Sequence, residues 1–134
     1  IARLAALPNC FFLGPKAYGD LPGYVAHFDV ATIPFRLNAI THSCSPVKLF
    51  EYMAAGKPVV TTPMREVLKY RSVLIGDTPQ AFLEQVGRAL LLRYDPGYRD
   101  LLAQEAAANT WTARAETLLA AAEAARVGRS AAKC

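Results

Sequence analysis

The chain has 134 residues, 53% hydrophobic and 19% charged, with a formal net charge of +4. That is enough for one domain with a real core and too little for two, and it excludes a disordered chain. The basic residues are scattered, with no Lys/Arg run of the nucleic-acid-binding type, and no apolar run reaches the roughly 18 residues that span a bilayer.

Ile1–Leu7 lacks the basic start and long apolar stretch of a signal peptide and reads as the tail of a helix begun upstream. With no initiator Met, the chain is expected to be a fragment. Cys10–Leu13 is a continuous apolar run stopped by Gly14-Pro15, which predicts a buried strand. Tyr18–Ala26 predicts a helix with Leu21, Tyr24, Val25 and Phe28 on its apolar face and His27 serving its C-terminal end. Asp29–Ile33 is the next strand, stopped by Pro34, and Phe35–Cys44 is a loop carrying Arg36, Asn38, Thr41 and His42.

Ser45 to Val60 forms a loop–helix–turn–strand unit around which the rest is organised. Ser45 suits an N-cap and Pro46 the first helical position, Val47–Ala55 contains no helix breaker, and Gly56 stands where a left-handed terminal residue is wanted. Val59–Thr62 then makes a strand, Met64–Tyr70 a short helix, and Val73–Ile75 a fourth strand ended by Gly76. Asp77 or Thr78 caps a helix reaching about Arg93, with Phe82, Leu83, Val86, Leu90 and Leu91 facing inward. Asp95-Pro96-Gly97 is a turn, Tyr98–Ala108 is helical, residues 110–126 form an alanine-rich C-terminal helix anchored by Trp111, and residues 127–134 form a frayed tail.

Short apolar strands alternating with helices predict the α/β class, with a parallel sheet covered on both faces and ligands bound beyond the strand C-termini. The loops at Phe35–Cys44, Pro63–Glu66 and Asp77–Thr78 lie at those ends. Neither GxGxxG nor GxxxxGK[ST] occurs, so an ordinary dinucleotide or P-loop site is excluded. Three cysteines (Cys10, Cys44, Cys134) without a CxxC and two histidines at unrelated positions make no zinc pattern. They read as reduced thiols of a cytosolic protein, with Cys44 a bystander beside the central helix.

Lys48 occupies the first turn of the central helix, where the dipole and free N–H groups favour negative charge. A lysine there makes sense if an anion such as a phosphate binds at the helix tip. Glu51 lies one turn further along the same face and could accept hydrogen bonds from two sugar hydroxyls. The two residues also fit an exposed i, i+3 charge pair.

Ser45-Pro-Val-Lys-Leu-Phe-Glu-Tyr-Met-Ala-Ala-Gly-Lys-Pro-Val-Val60 resembles the donor-site signature of GT-B glycosyltransferases of the group 1 / family 4 type. Asn9–Gly14 resembles their "NVxFLG" strand, Tyr24–Phe35 their "YxxxxDVxxxPF" segment, Arg65-Glu66-Val67 their "xEV", and Asn109–Arg114 the opening of their C-terminal helix. The resemblance implies a single, partial C-terminal Rossmann-like donor-binding domain over residues 1–134, truncated at its N-terminus. Its partner would be a nucleotide-diphosphate sugar, with a glycan or lipid-linked acceptor on a missing N-terminal domain.

The resemblance also implies roles. Glu51 matches the second glutamate of the family's pair and would hold the ribose. Ser45, Pro46, Val47 and Lys48 would meet the diphosphate, through the backbone N–H groups of Val47 and Lys48. Ser43 stands where the first glutamate belongs and, with His42, Arg36 and Glu66, is a possible donor-sugar neighbour. No cofactor or metal is required, the anomeric configuration is retained, and the catalytic residues lie in the missing part, so the fragment alone is expected to be inactive. A cytoplasmic enzyme of cell-surface polysaccharide synthesis, with possible peripheral membrane contact, is the implied setting. The same fold also serves GT-B nucleotide-sugar epimerases, and a non-catalytic nucleotide-binding or interaction module is the third reading.

Overall fold

A computed structural model describes residues 2–131. After a short α1 (Ala2–Ala5) and a 3-10 turn at Tyr18–Asp20, the order is α2 (Leu21–Ala26), β1 (Ala31–Ile33), α3 (Ala39–His42), α4 (Val47–Ala54) and β2 (Val59–Thr61). A second 3-10 turn (Val67–Lys69) leads to β3 (Val73–Ile75), α5 (Pro79–Leu92), α6 (Pro96–Ala107) and α7 (Trp111–Ala131). The three strands make a parallel sheet in chain order, with Ala31 opposite Val59 and Val59 opposite Val73.

The strand residues alternate between two apolar clusters, as the two-residue period of a strand requires. Ala31, Ile33, Val59 and Val73 pack with Leu49 and Met53 of α4, Met64 and Val67 of the connection, and Leu102 and Ala106 of α6. Val60 and Leu74 face the other way, onto Ala89 of α5, with Phe82, Val86 and Leu92 beside them. The result is a Rossmann-like three-layer α/β arrangement, with α4 and α6 on one side of the sheet and α5 on the other. α4 is held between β2 and α6, and its apolar stripe has the i, i+4 spacing of Leu49 and Met53, both fully buried.

Glycine and cap chemistry set the corners. Gly56 has φ +67°, the left-handed residue that ends α4 before Pro58. Thr78 caps α5 by accepting from the Ala81 N–H at 3.1 Å. Asp95 caps α6 by accepting from the Tyr98 N–H at 2.8 Å, so the expected Asp95-Pro96-Gly97 turn is the start of that helix. His27 reaches the Gly23 carbonyl at 2.8 Å, the helix-end role predicted for it.

Four expectations are corrected. Cys10–Leu13 forms no strand, and Phe11, Phe12 and Leu13 are 80%, 60% and 57% exposed, because the run finds no neighbouring strand to pair with among the described residues. Within the expected Phe35–Cys44 loop, Asn38 and Thr41 form a reciprocal capping box that winds α3. On α5, Leu83, Leu90 and Leu91 are exposed while Ala89 is buried, because the helix meets the sheet along one i, i+4, i+7 stripe through Phe82, Val86 and Ala89. α7 runs on to Ala131, past the expected end at Arg126, since an alanine-rich helix once nucleated adds residues readily. Of the expected frayed tail, 132–134 lie outside the described residues.

Gly56 and Gly76 separate two uses of glycine. A Cβ on Gly56 meets nothing within 4 Å, whereas one on Gly76 would lie 2.4 Å from the Phe82 Cα. Gly56→Ala should therefore cost about 1 kcal/mol, for φ alone. Gly76→Ala must displace α5 and should cost more, about 1–3 kcal/mol of overpacking. Urea midpoints of the two variants check that order.

Candidate functional site

α4 begins one residue later than its sequence indicates. Pro46 is the N-cap, with φ −73° and ψ 110°, and no side chain caps the helix. The Ser45 hydroxyl, expected to serve that role, instead donates to Glu66 Oε1 at 3.3 Å. The Leu49 N–H is taken by the Pro46 carbonyl at 3.0 Å, so the N–H groups of Val47 and Lys48 form the uncapped tip. A helix end without a side-chain cap favours an anion there.

Burial of Leu49 and Met53 turns Val47, Glu51 and Ala54 outward along one line. These residues form one wall of a cavity of about 410 Å³ whose other walls include Tyr18, Phe50, Trp111 and Arg114. The cavity also reaches Ser45. Four residues separate Val47 from Glu51, about 6 Å of axial rise. Glu51 accepts from the Tyr18 hydroxyl at 3.2 Å. Tyr18 and Glu51 also line a second cavity, of about 520 Å³, with Leu21, Pro22, Val25 and Lys57. The Lys57 ammonium in turn donates to the Ala26 carbonyl at 2.6 Å and ties α2 to the strand that follows α4.

Glu66 gathers the other half of the site. Its Oε1 lies 2.8 Å from the Lys69 ammonium, accepts from the Tyr70 hydroxyl at 3.2 Å as well as from Ser45, and lies 3.8 Å from the Arg114 guanidinium. Burial opposes ionisation, but the hydrogen bond and charge of Lys69, then the Tyr70 and Ser45 hydroxyls, outweigh it and hold the carboxyl below its ordinary value. Burial, reinforced by the Glu66 charge, pushes the Tyr70 phenol up. On Tyr52, burial and then the neighbouring Glu51 charge do the same.

The candidate residues divide accordingly. Glu51, Val47 and Ser45 share one cavity, and Glu66 reaches it through Ser45. Lys48 sits at the helix tip with its ammonium 5.4 Å from the centre of the Phe35 ring. Ser43 spends its hydroxyl on the Ala39 carbonyl of α3, at 3.0 Å. His42 is the last residue of α3, half-buried, with Nδ1 lacking a hydrogen-bond partner. Arg36 is exposed, and its carbonyl accepts from Thr41 at 3.0 Å. Trp111, expected to anchor the last helix, is 76% exposed and walls the cavity.

Tyr18 and Arg114 were not anticipated as site residues. Nothing local marks Tyr18, whose partner lies 33 residues away. Arg114 carried a signal, because it follows the Thr110 cap of α7 within the first turn, where a cation is as misplaced as Lys48 is on α4. Among the described residues, no group of three or more His, Cys, Asp or Glu is placed to hold a metal ion, and no helix is long and apolar enough to cross a membrane.

The lowered pKa of Glu66 fixes a sign. Ionised Glu66 contributes stability at pH values above its unfolded value, ordinarily 4.5, and that contribution is lost as pH falls through the lower folded value. The urea midpoint of the protein should therefore fall on acidification below about 4.5. Glu66→Gln should start lower at neutral pH and fall less steeply there, and identical slopes would contradict the assignment.

Comparison with known proteins identifies the family. Residues 1–91 match the family described as Glycosyl transferases group 1. A Bacillus subtilis (strain 168) protein assigned a role as the teichuronic acid biosynthesis glycosyltransferase TuaH is 29% identical over 114 residues. That match covers 81% of this chain and 29% of the relative, so the chain spans under a third of the relative's length. No solved structure matches. The match over 1–91 takes in the sheet, α4 and Glu51. The chain belongs to the group 1 glycosyl transferases, and its layered domain has the form of one half of their GT-B fold.

Proposed function

We propose that this chain is the donor-binding part of a glycosyltransferase that takes a nucleotide-diphosphate sugar. The observation that carries the reading is that Glu51 and the uncapped tip of α4 open on one cavity, a single helical turn apart. A nucleotide lying along α4 would put its ribose hydroxyls on the Glu51 carboxylate and its diphosphate on the N–H groups of Val47 and Lys48. The base would then extend past Tyr18 into the cavity walled by Leu21, Pro22 and Val25. In that pose the ribose displaces the Tyr18 hydroxyl from Glu51.

The chemistry available to such a site is electrostatic. As the bond between the sugar's anomeric carbon and the diphosphate breaks, negative charge grows on the leaving diphosphate. Fixed N–H donors at a helix tip stabilise that charge without reorganising. We infer transfer with retention to a glycan or lipid-linked acceptor held on another part of the enzyme, with no metal required. The name of the Bacillus subtilis relative, a teichuronic acid biosynthesis glycosyltransferase, supports a place in polysaccharide synthesis, and we infer that the polysaccharide is a cell-surface one and the setting cytoplasmic. Glu66, reached through Ser45, would border the donor sugar.

A second reading is a nucleotide-binding module without catalysis. It is favoured by Ser43, which occupies the position of the family's first glutamate and turns its hydroxyl into α3. Binding alone does not separate the two readings, but hydrolysis or transfer of the bound donor does.

Glu51→Ala should weaken binding of the preferred nucleoside diphosphate by tenfold or more, since hydrogen bonds to a charged group contribute about 1.5–3 kcal/mol. It should also erase any preference for the ribonucleotide over its 2′-deoxy counterpart. Calorimetric titration of the protein with UDP, GDP and ADP and their deoxy forms measures both. Unchanged affinity and an unchanged deoxy penalty would overturn the placement.

A further inference from the structure

The cavity that Glu51 lines is also lined by Arg114, on the first turn of α7. Its guanidinium carbon lies 4.7 Å from the centre of the Phe50 ring. The same side chain lines a third cavity, of about 400 Å³, with Ser45, Glu66 and Lys69. Arg114 therefore stands between the cavity that holds the tip of α4 and the polar cluster beyond Ser45.

Its pairing with Glu66 is loose. The distance to Glu66 Oε1 is 3.8 Å, outside hydrogen-bond reach, while Lys69 approaches that oxygen at 2.8 Å and the Tyr70 and Ser45 hydroxyls at 3.2 and 3.3 Å. Closer partners already satisfy the carboxylate. A guanidinium supported by a ring face and only weakly engaged by its carboxylate loses little by turning to a stronger anion. Its planar fork of N–H donors suits phosphate oxygens.

We propose that Arg114 is a diphosphate-contact residue, a cation supplied from the downstream helix to the cavity that also holds Glu51 and the tip of α4. This rests on the placement of the nucleotide along α4. Glu66 is then a weak competitor for Arg114, and diphosphate binding draws Arg114 away from it. During transfer the guanidinium would neutralise charge developing on the leaving group.

Calorimetry with UDP, GDP, ADP and inorganic pyrophosphate tests this. Arg114→Ala should weaken the preferred nucleoside diphosphate on the order of tenfold and leave the corresponding nucleoside unchanged, with Arg114→Lys in between. Glu66→Gln should tighten diphosphate binding severalfold, and that gain should vanish in the Glu66→Gln/Arg114→Ala double variant. A merely structural Arg114 predicts equal losses for nucleoside and diphosphate and a gain from Glu66→Gln that survives in the double variant. Either result overturns the inference. If Glu51→Ala abolishes binding while Arg114→Ala does not alter it, the contact alone is wrong. If Glu51→Ala has no effect, or no nucleotide binds the wild type, the placement fails and this inference with it.

Discussion

Leu49 and Met53 fix the rotation of α4, and the site depends on that rotation. Both side chains are fully buried between the sheet and α6, against Val59 on one side and Leu102 and Ala106 on the other. Shortening either would leave a cavity and cost about 2–5 kcal/mol, a large part of the stability of a small domain. With these two residues inward, geometry leaves no choice about which residues face out. Val47, Glu51 and Ala54 must line the cavity, and the N–H groups at the helix tip must open at its end. A helix rolled by two positions, about 200°, would put Glu51 and Ala55 where Leu49 and Met53 lie, against the apolar layer, where an unpaired carboxylate is strongly disfavoured.

Around that helix, charge is arranged in two tiers. The tip of α4 offers backbone donors and no capping side chain, which leaves its partial positive charge available to a ligand. Glu66 collects Lys69, Tyr70 and Ser45 on one oxygen, and this cluster ties the connection between β2 and β3 to the start of α4. A second carboxylate performs a purely structural task. Glu105 of α6 accepts from the Arg71 and Ser72 N–H groups at 2.8 and 3.2 Å and locks that helix to the start of β3. One glutamate holds the frame, one balances the cations, and Glu51 lines the cavity with, among the described residues, only the exposed Tyr18 hydroxyl hydrogen-bonded to it.

The sequence disclosed the sheet and α4 because those features are encoded locally. Val59-Val60 and Val73-Leu74 are apolar on consecutive positions because both faces of their strands are covered. Gly56 and Pro58 mark the end of α4 through their own backbone chemistry. What stayed hidden depends on partners distant in the chain. Phe11–Leu13 has the composition of a buried strand, but a strand needs a neighbour, and none pairs with it among the described residues. Ser45 was legible as a cap, yet a carboxylate 21 residues away competes for its hydroxyl. Tyr18 and Trp111 become walls of the site only because the chain brings the first 3-10 turn and the start of α7 to the same flank of α4.

The central claim is that one turn of α4, from its tip to Glu51, grips a nucleoside diphosphate. The most direct measurement is a titration of the isotopically labelled protein with UDP, GDP and ADP, followed by amide chemical shifts. The account predicts that one of the three shifts the amides of Val47, Lys48 and Glu51 most, with those of Tyr18 and Arg114 following. Largest shifts at a surface remote from α4, or none with any of the three at millimolar concentration, would contradict it.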